Sequence, residues 1–339
     1  MQQARTHIPE LDGLRAVAVF VVLLFHSAPF GPVSGGFVGV DIFFVLSGFL
    51  ITSILAQDLK ERGQIRYGRF YYRRFLRLMP PLLLVLTCYL LIAPFIWPGY
   101  NHALDALLTG LYVSDYSYSF WRMPLYLQHS WSLAVEEQFY LLWPILLVPL
   151  VRSRRALPYL ILVYFACMLW RHAVASDWRD YYYRFDTRMT GLILGAIIYF
   201  VRDRIRVSQT LVWGGAALLG IVFFFGDIRA AALFIPVAEI AAALVICGVV
   251  TGNAGAIGAL LARPAIVALG KLSYGIYLWH FPIAYAIRDT LPFAQTAMIV
   301  GVSSVGLAAV SYFTVEAWAR SLKLANTAGP ISAPVAGAY

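Results

Sequence analysis

Apolar residues run along this chain in blocks of about twenty, separated by short stretches that hold most of its charges. A helix rises about 1.5 Å per residue, so roughly 20 apolar residues cross the hydrocarbon core of a bilayer. Ten blocks have about that length: 11–30, 36–56, 80–98, 127–151, 156–175, 185–201, 209–226, 230–250, 266–287 and 294–319. Each predicts a transmembrane helix. The stretch 102–120, HALDALLTGLYVSDYSYSF, is apolar only in part and rich in Tyr and Ser. It reads as an interfacial or re-entrant piece, not an eleventh span. The pattern predicts an all-α polytopic membrane protein of about ten transmembrane helices. One transmembrane domain is expected over 1–324, with no extramembrane domain appended. The Ala/Gly/Pro-rich stretch 325–339 is expected to be a disordered tail.

The basic residues set the orientation, because cytoplasmic loops collect Lys and Arg. With the N-terminus in the cytoplasm, nineteen of the 26 Lys and Arg residues fall on the cytoplasmic side and seven outside. Counting 102–120 as a span would move the cluster Arg152, Arg154 and Arg155, and the cluster Arg202, Arg204 and Arg206, to the outside. Ten spans with both termini cytoplasmic is therefore the favoured topology. The first block lacks an A-x-A-like cleavage site and reads as an uncleaved helix. Composition agrees: 61% of residues are hydrophobic and 13% charged, about half the charged share of a soluble domain. The net charge of +9 then belongs to topology and to anionic lipid, and does not call for nucleic acid. Cys88, Cys167 and Cys247 stand singly in apolar blocks and suggest neither disulfides nor a metal site. No P-loop, C-x-x-C or H-E-x-x-H motif occurs.

Charged and titratable groups inside such blocks are expensive, and so are functional candidates. Arg15 and His26 are eleven residues apart, which is 20° past three full turns at about 100° per residue. Both project from one face of the first helix, a cation near the cytosol and a proton acceptor about 16 Å further out. Gly35, Gly36 and Gly39 open the second block and allow close approach; Asp41 follows at a depth comparable to His26. An Asp beside a His suits a carboxylate that orients an imidazole. Ser47 reads as packing. The first loop, QDLKERGQIRYGRFYYRRFLRLMPP, is mostly arginine: Arg69, Arg73, Arg74 and Arg77 exceed what topology needs and suit bidentate recognition of phosphate. Pro80 and Pro81 mark the entry to the third span. The fourth block begins LQHSWSLAVEEQFYLLWP, with His129, Ser130 and Trp131 at the outer interface and Glu136 and Glu137 about two turns deeper. One of these carboxylates is expected to face a site and the other a basic group. His280 and Trp279, in LGKLSYGIYLWHFPI, could line the same cavity as His26. Asp186 and Arg188 are expected to form a structural pair.

The blocks IPELDGLRAVAVFVVLLFH, GGFVGVDIFFVLSGFLIT, RFYYRRFLRLMPP, HSWSLAVEEQFYLLWP and LGKLSYGIYLWHFPI resemble, in their order, acyltransferase family 3 of bacterial membrane proteins. That resemblance implies a ten-span enzyme moving an acyl group, usually acetyl, from cytoplasmic acyl-CoA to a hydroxyl of a cell-surface or secreted carbohydrate. Exopolysaccharide, O-antigen and lipid-linked glycan are the acceptors it suggests, and no metal is needed. It matches the family's arginine–histidine pair to Arg15 and His26 and its R-x-x-R motif to Arg74 and Arg77. His26 would then be the catalytic base or acyl carrier, supported by Asp41 or Glu137. Arg15, Arg69, Arg73, Arg74 and Arg77 would hold the donor, acetyl-CoA. His129, Ser130, Trp131, Trp279 and His280 would face the carbohydrate. Glu316 is followed by Ala317-Trp318 where the family usually has proline, which leaves its role open. The competing reading is a transporter or flippase of a glycan or glycolipid, whose sign would be matched interrupted helices in two halves.

Overall fold

The computed structural model describes residues 7–28, 31–174 and 177–325. Arg5 and residues 326–339 of the tail expected over 325–339 lie outside them; Ala325 is the last residue of a helix. The helices in chain order begin with α1 (Pro9–His26), α2 (Gly39–Arg62), α3 (Tyr67–Ile96), α4 (His102–Gly110), α5 (Ser114–Trp121) and α6 (Trp131–Arg152). Next come α7 (Ala156–Ala173), α8 (Trp178–Tyr182), α9 (Phe185–Arg188), α10 (Thr190–Val201), α11 (Gln209–Phe225) and α12 (Ala231–Val250). The chain finishes with α13 (Gly255–Leu261), α14 (Pro264–Lys271), α15 (Ser273–Ile287), α16 (Phe293–Phe313) and α17 (Val315–Ala325). No strand occurs among the described residues.

Six helical stretches among the described residues are long and apolar enough to cross a membrane: Gly36–Arg62, Tyr67–Ile96, Gln128–Arg152, Ala156–Ala173, Ile228–Val250 and Phe293–Leu322. The other four predicted blocks also contain helices, α1, α10, α11 and α15. They fall short as single spans for physical reasons. The 18 residues of α1 include Glu10, Asp12 and Arg15. The block 185–201 is divided at Met189 between α9 and α10, and the block 266–287 at Leu272 between α14 and α15.

One boundary differs from expectation. Helix α3 does not begin at Pro80 but runs from Tyr67 through both prolines. A proline inside a helix removes one N–H and kinks it without having to end it. The arginines at 69–77 are thereby mounted on the same rod as the third span. The segment 102–120 forms α4 and α5, nine and eight residues long, each too short to cross a bilayer. Asn101 caps α4 by accepting the Leu104 N–H at 3.1 Å.

Helix α2 is the centre of the bundle. Of its apolar window 72% is buried, against 22–39% for the windows in α3, α6, α7 and α16, which keep a bare apolar side such as Leu91, Phe95 and Phe313. Helices α1, α6, α10 and α12 pack around it. Small residues permit that approach. A Cβ on Gly39 would stand 2.6 Å from the Ala18 carbonyl oxygen of α1, and one on Gly48 would overlap the Leu192 carbonyl of α10.

Candidate active site

Two cavities that share Ile51, Ile54, Arg74 and Arg77 in their walls run beside α2. The smaller, about 150 Å³, is an arginine cleft formed by Arg66, Arg69, Arg73, Arg74 and Arg77 opposite Asp58. The larger, about 320 Å³, is bounded by Arg15, Ser47, Arg74, Arg77, Glu136, Tyr140 and Tyr277, with apolar walls from Val40, Phe43 and Ile51. From Asp58 to Val40 the linings span nineteen residues of α2, about 27 Å of its length.

The cations along this path are held in place. Arg74 bonds Glu137 at 2.8 Å and lies over the Tyr140 ring. Arg15 bonds Asp12 at 2.8 Å, and Asp12 also meets His7 Nε2 at 2.6 Å. Arg66 pairs with Asp58 at 3.4 Å. Ser47 donates its hydroxyl to Glu136 Oε1 at 2.5 Å inside the larger cavity. Arg15, Arg69, Arg73, Arg74 and Arg77, the five residues expected to hold a donor, thus line two adjoining cavities. Ser47, expected to be packing, lines the same space.

At the far end of the larger cavity stands Tyr277. Its hydroxyl meets Ser132 Oγ at 2.6 Å and donates to the His129 carbonyl at 2.8 Å. Beyond it lie three imidazoles. His280 Nδ1 is 2.6 Å from the Tyr277 carbonyl, and His280 Nε2 is 3.1 Å from His26 Nδ1. The His129 ring lies 5.3 Å from that of His280 and stacks on Phe281 at 4.9 Å. His26 touches Phe25 and Phe281 edge-on. His26 is not in the cavity wall, so the open space beside Arg15 ends one residue layer short of it.

Other expected site residues fall elsewhere. Asp41 does not orient His26; its Oδ1 accepts from Arg188 at 2.9 Å, with both side chains fully buried. The reason is helical phase. Gly39 and Gly36 turn towards α1, and Asp41 is two residues, about 200°, round from Gly39. Arg188 is therefore not the partner of Asp186, which takes Arg184 and the Trp170 ring N–H. Glu137 sits on Arg74, not beside His26. Trp131 is 4% exposed among Phe44, Tyr182 and Arg188 and offers no face to a sugar. Ser130 bonds Thr109 at 3.1 Å, and Trp279 packs partly buried against the core.

A buried polar layer escaped the sequence reading. Glu239 of α12 accepts from Thr190 at 2.5 Å and from Tyr164 at 3.1 Å, and lies 4.0 Å from Arg171. Arg171 also bonds the Thr187 carbonyl at 2.8 Å and the Thr190 hydroxyl. With Asp41 and Arg188, this layer ties α2, α7, α10 and α12. A lone Glu inside the apolar block 230–250 was the signal available.

Residues 8–316 match the family described as acyltransferase domain. The chain belongs to acyltransferase family 3. Among similar proteins, the peptidoglycan O-acetyltransferase OatA of Listeria monocytogenes is 29% identical over 326 residues, covering 86% of this chain and 52% of that protein. The O-acetyltransferase OatA of Staphylococcus aureus is 31% identical over 348 residues, covering 91% of this chain and 57% of that protein. The chain spans about half the length of these relatives. No solved structure matches it. With its six spanning-length helices, this family member is a multi-pass membrane protein. The transporter reading finds no support among the relatives, which are named as acetyltransferases.

Proposed function

We propose that this chain is a membrane O-acyltransferase that moves an acyl group, acetyl in the first instance, from cytoplasmic acyl-CoA to a carbohydrate hydroxyl on the outer side. The observation that carries this reading is the pair of adjoining cavities that share Arg74 and Arg77, one an arginine cleft and the other lined by Tyr277, which is backed by the histidines. Ten crossings with both termini cytoplasmic, in the bacterial inner membrane, give the cleft access to the cytosol and the histidines access to the exterior. The names of the relatives make a peptidoglycan-like glycan the first acceptor to try.

In this mechanism the donor's phosphates bind Arg69, Arg73, Arg74 and Arg77, where bidentate guanidinium contacts are strongest. The pantetheine arm runs along α2 past Ser47, Glu136 and Arg15, and its thioester reaches the Tyr277 end. Local movement of the Tyr277 layer joins that end to His26. His26 takes the proton of the acceptor hydroxyl as its oxygen attacks the thioester carbonyl. The C–S bond breaks, and the thiolate of CoA receives a proton in turn. Positioned proton transfer of this kind contributes typically 10²–10⁴-fold.

The test is transfer of labelled acetyl from acetyl-CoA to isolated glycan by the purified chain in vesicles. Loss of transfer in His26→Ala, with folded protein retained in the membrane, is expected. Wild-type transfer in that variant would sink the reading.

A further inference from the structure

We propose that His280 is a positioning residue: it fixes the tautomer of His26 and leaves His26 Nε2 as the reacting nitrogen. The inference rests on the reading of His26 as the base and assigns His280 a role other than touching carbohydrate.

The argument starts at an atom that cannot donate. The Tyr277 carbonyl accepts only, and His280 Nδ1 lies 2.6 Å from it. The proton of neutral His280 is therefore on Nδ1, and its Nε2 is a bare acceptor. That Nε2 lies 3.1 Å from His26 Nδ1. Two bare nitrogens would repel at that distance, so His26 Nδ1 carries a proton and donates it. In neutral His26 the lone pair then belongs to Nε2, the one ring nitrogen left for a substrate proton.

Packing holds the relay in one arrangement. His280 is fully buried, and the His26 and His280 ring centroids are 5.2 Å apart. Phe281 meets the His26 ring edge-on at 4.9 Å and stacks on His129. Tyr277, whose carbonyl starts the relay, has its side chain tied to Ser132 and to the His129 carbonyl. The cavity's far wall and the base are thus coupled through one helical turn of α15. The titratable and charged groups facing His26 are His280, His129 and Arg288. None of them is a carboxylate, so the part usually given to an acid beside a catalytic His is here given to a second imidazole.

The experiment compares wild type, His280→Ala, His280→Asn, His280→Gln and His26→Ala in vesicles, with acetyl-CoA as donor. It also records ¹⁵N spectra of labelled histidines, which separate the two tautomers. Expected is an Nδ1–H tautomer for His26 in wild type and a mixture in His280→Ala. The kcat for transfer should fall about a hundredfold in His280→Ala, with the KM for acetyl-CoA changed less than threefold. Asn or Gln at 280 keeps an acceptor oxygen and should restore at least tenfold of that loss, which a merely structural role would not predict. An Nε2–H tautomer of His26 in wild type overturns the proposal even if every variant fails to fold. So does His280→Ala within threefold of wild type while His26→Ala is inactive. Activity surviving in His26→Ala removes the base reading itself, and the proposal falls with it.

Discussion

Replacing Asp41 by Ala separates an architectural role for this carboxylate from a catalytic one. Asp41 and Arg188 are both 0% exposed and 2.9 Å apart. Arg188 Nε and Nη1 have no hydrogen-bond partner among the described residues, so the guanidinium depends on Asp41 for its compensation. Breaking a buried pair by removing one partner costs roughly 3–5 kcal/mol, chiefly because a charge is left unpaired. Each 1.36 kcal/mol is tenfold, so the unfolding constant should rise between about 10² and 10⁴-fold. Removing both charges should behave differently. In Asp41→Ala/Arg188→Met the new side chain enters a pocket of Phe44, Trp131 and Tyr182, the rings around the guanidinium. Most of the lost stability should return, since an apolar replacement for a buried pair is often neutral. Thermal unfolding in detergent, followed with a thiol-reactive dye, reads this directly, because Cys167 is 6% exposed on the adjoining α7. An Asp41→Ala variant as stable as wild type, or a double variant no better than the single, would refute the argument. A stable but inactive Asp41→Ala would return the carboxylate to the chemistry.

Further outcomes follow from the same geometry. Arg74→Ala removes a charged donor worth about 1.5–3 kcal/mol; the Kd for acetyl-CoA, by calorimetry in detergent, should rise about ten- to 150-fold, and Arg74→Lys should recover only part of it. Gly48→Leu should prevent assembly, since even its Cβ overlaps the Leu192 carbonyl, whereas a Cβ on Gly68 of α3 meets nothing within 4 Å; Gly68→Ala should raise stability by roughly 0.5–1 kcal/mol, measured as a shift in Tm. Burial pushes the Asp115 carboxyl, on the short α5, up to about 6 from 3.8, so the folded state holds this proton more tightly than the unfolded one. Its contribution to stability is greatest below about pH 3.8 and is lost as pH rises to about 6, and Asp115→Asn should flatten a melting-temperature profile across that window.

The architecture was legible because a bilayer demands long apolar runs, and every predicted block contains a helix. The breaks at Met189 and Leu272 each follow charged residues, Asp186 and Arg188 in one block and Lys271 in the other, which read as features of a span's end and not as interruptions of a helix. Proline misled at 80–81 because it was read as a boundary when it serves as a kink. The arginine cluster was legible as an excess over topological need, and its spacing on one rod brings Arg69, Arg73, Arg74 and Arg77 to one cleft. Asp41 was misassigned because depth in the membrane says nothing of azimuth. Counting helical phase from Gly39, which must face α1, would have turned it away from His26.

That error points to what organises the bundle. Glycines set which helices touch, and the charges too costly to face lipid are placed by what remains. On α2, Gly39 takes the α1 side and Gly48 the α10 side; Asp41 meets Arg188 at 2.9 Å, while Ser47 opens into the larger cavity. One helix thus carries a buried ion pair and a cavity wall on different azimuths, separated by six residues and about 9 Å of rise. The polar layer formed by Asp41, Arg188, Arg171, Thr190 and Glu239 ties together α2, α7, α9, α10 and α12. The cavity beside Ser47 shares α2 with that layer, while Tyr277 and His26 belong to α15 and α1. Disturbing the ion layer should therefore alter stability first and donor affinity second. Disturbing Tyr277 or His280 should alter turnover first.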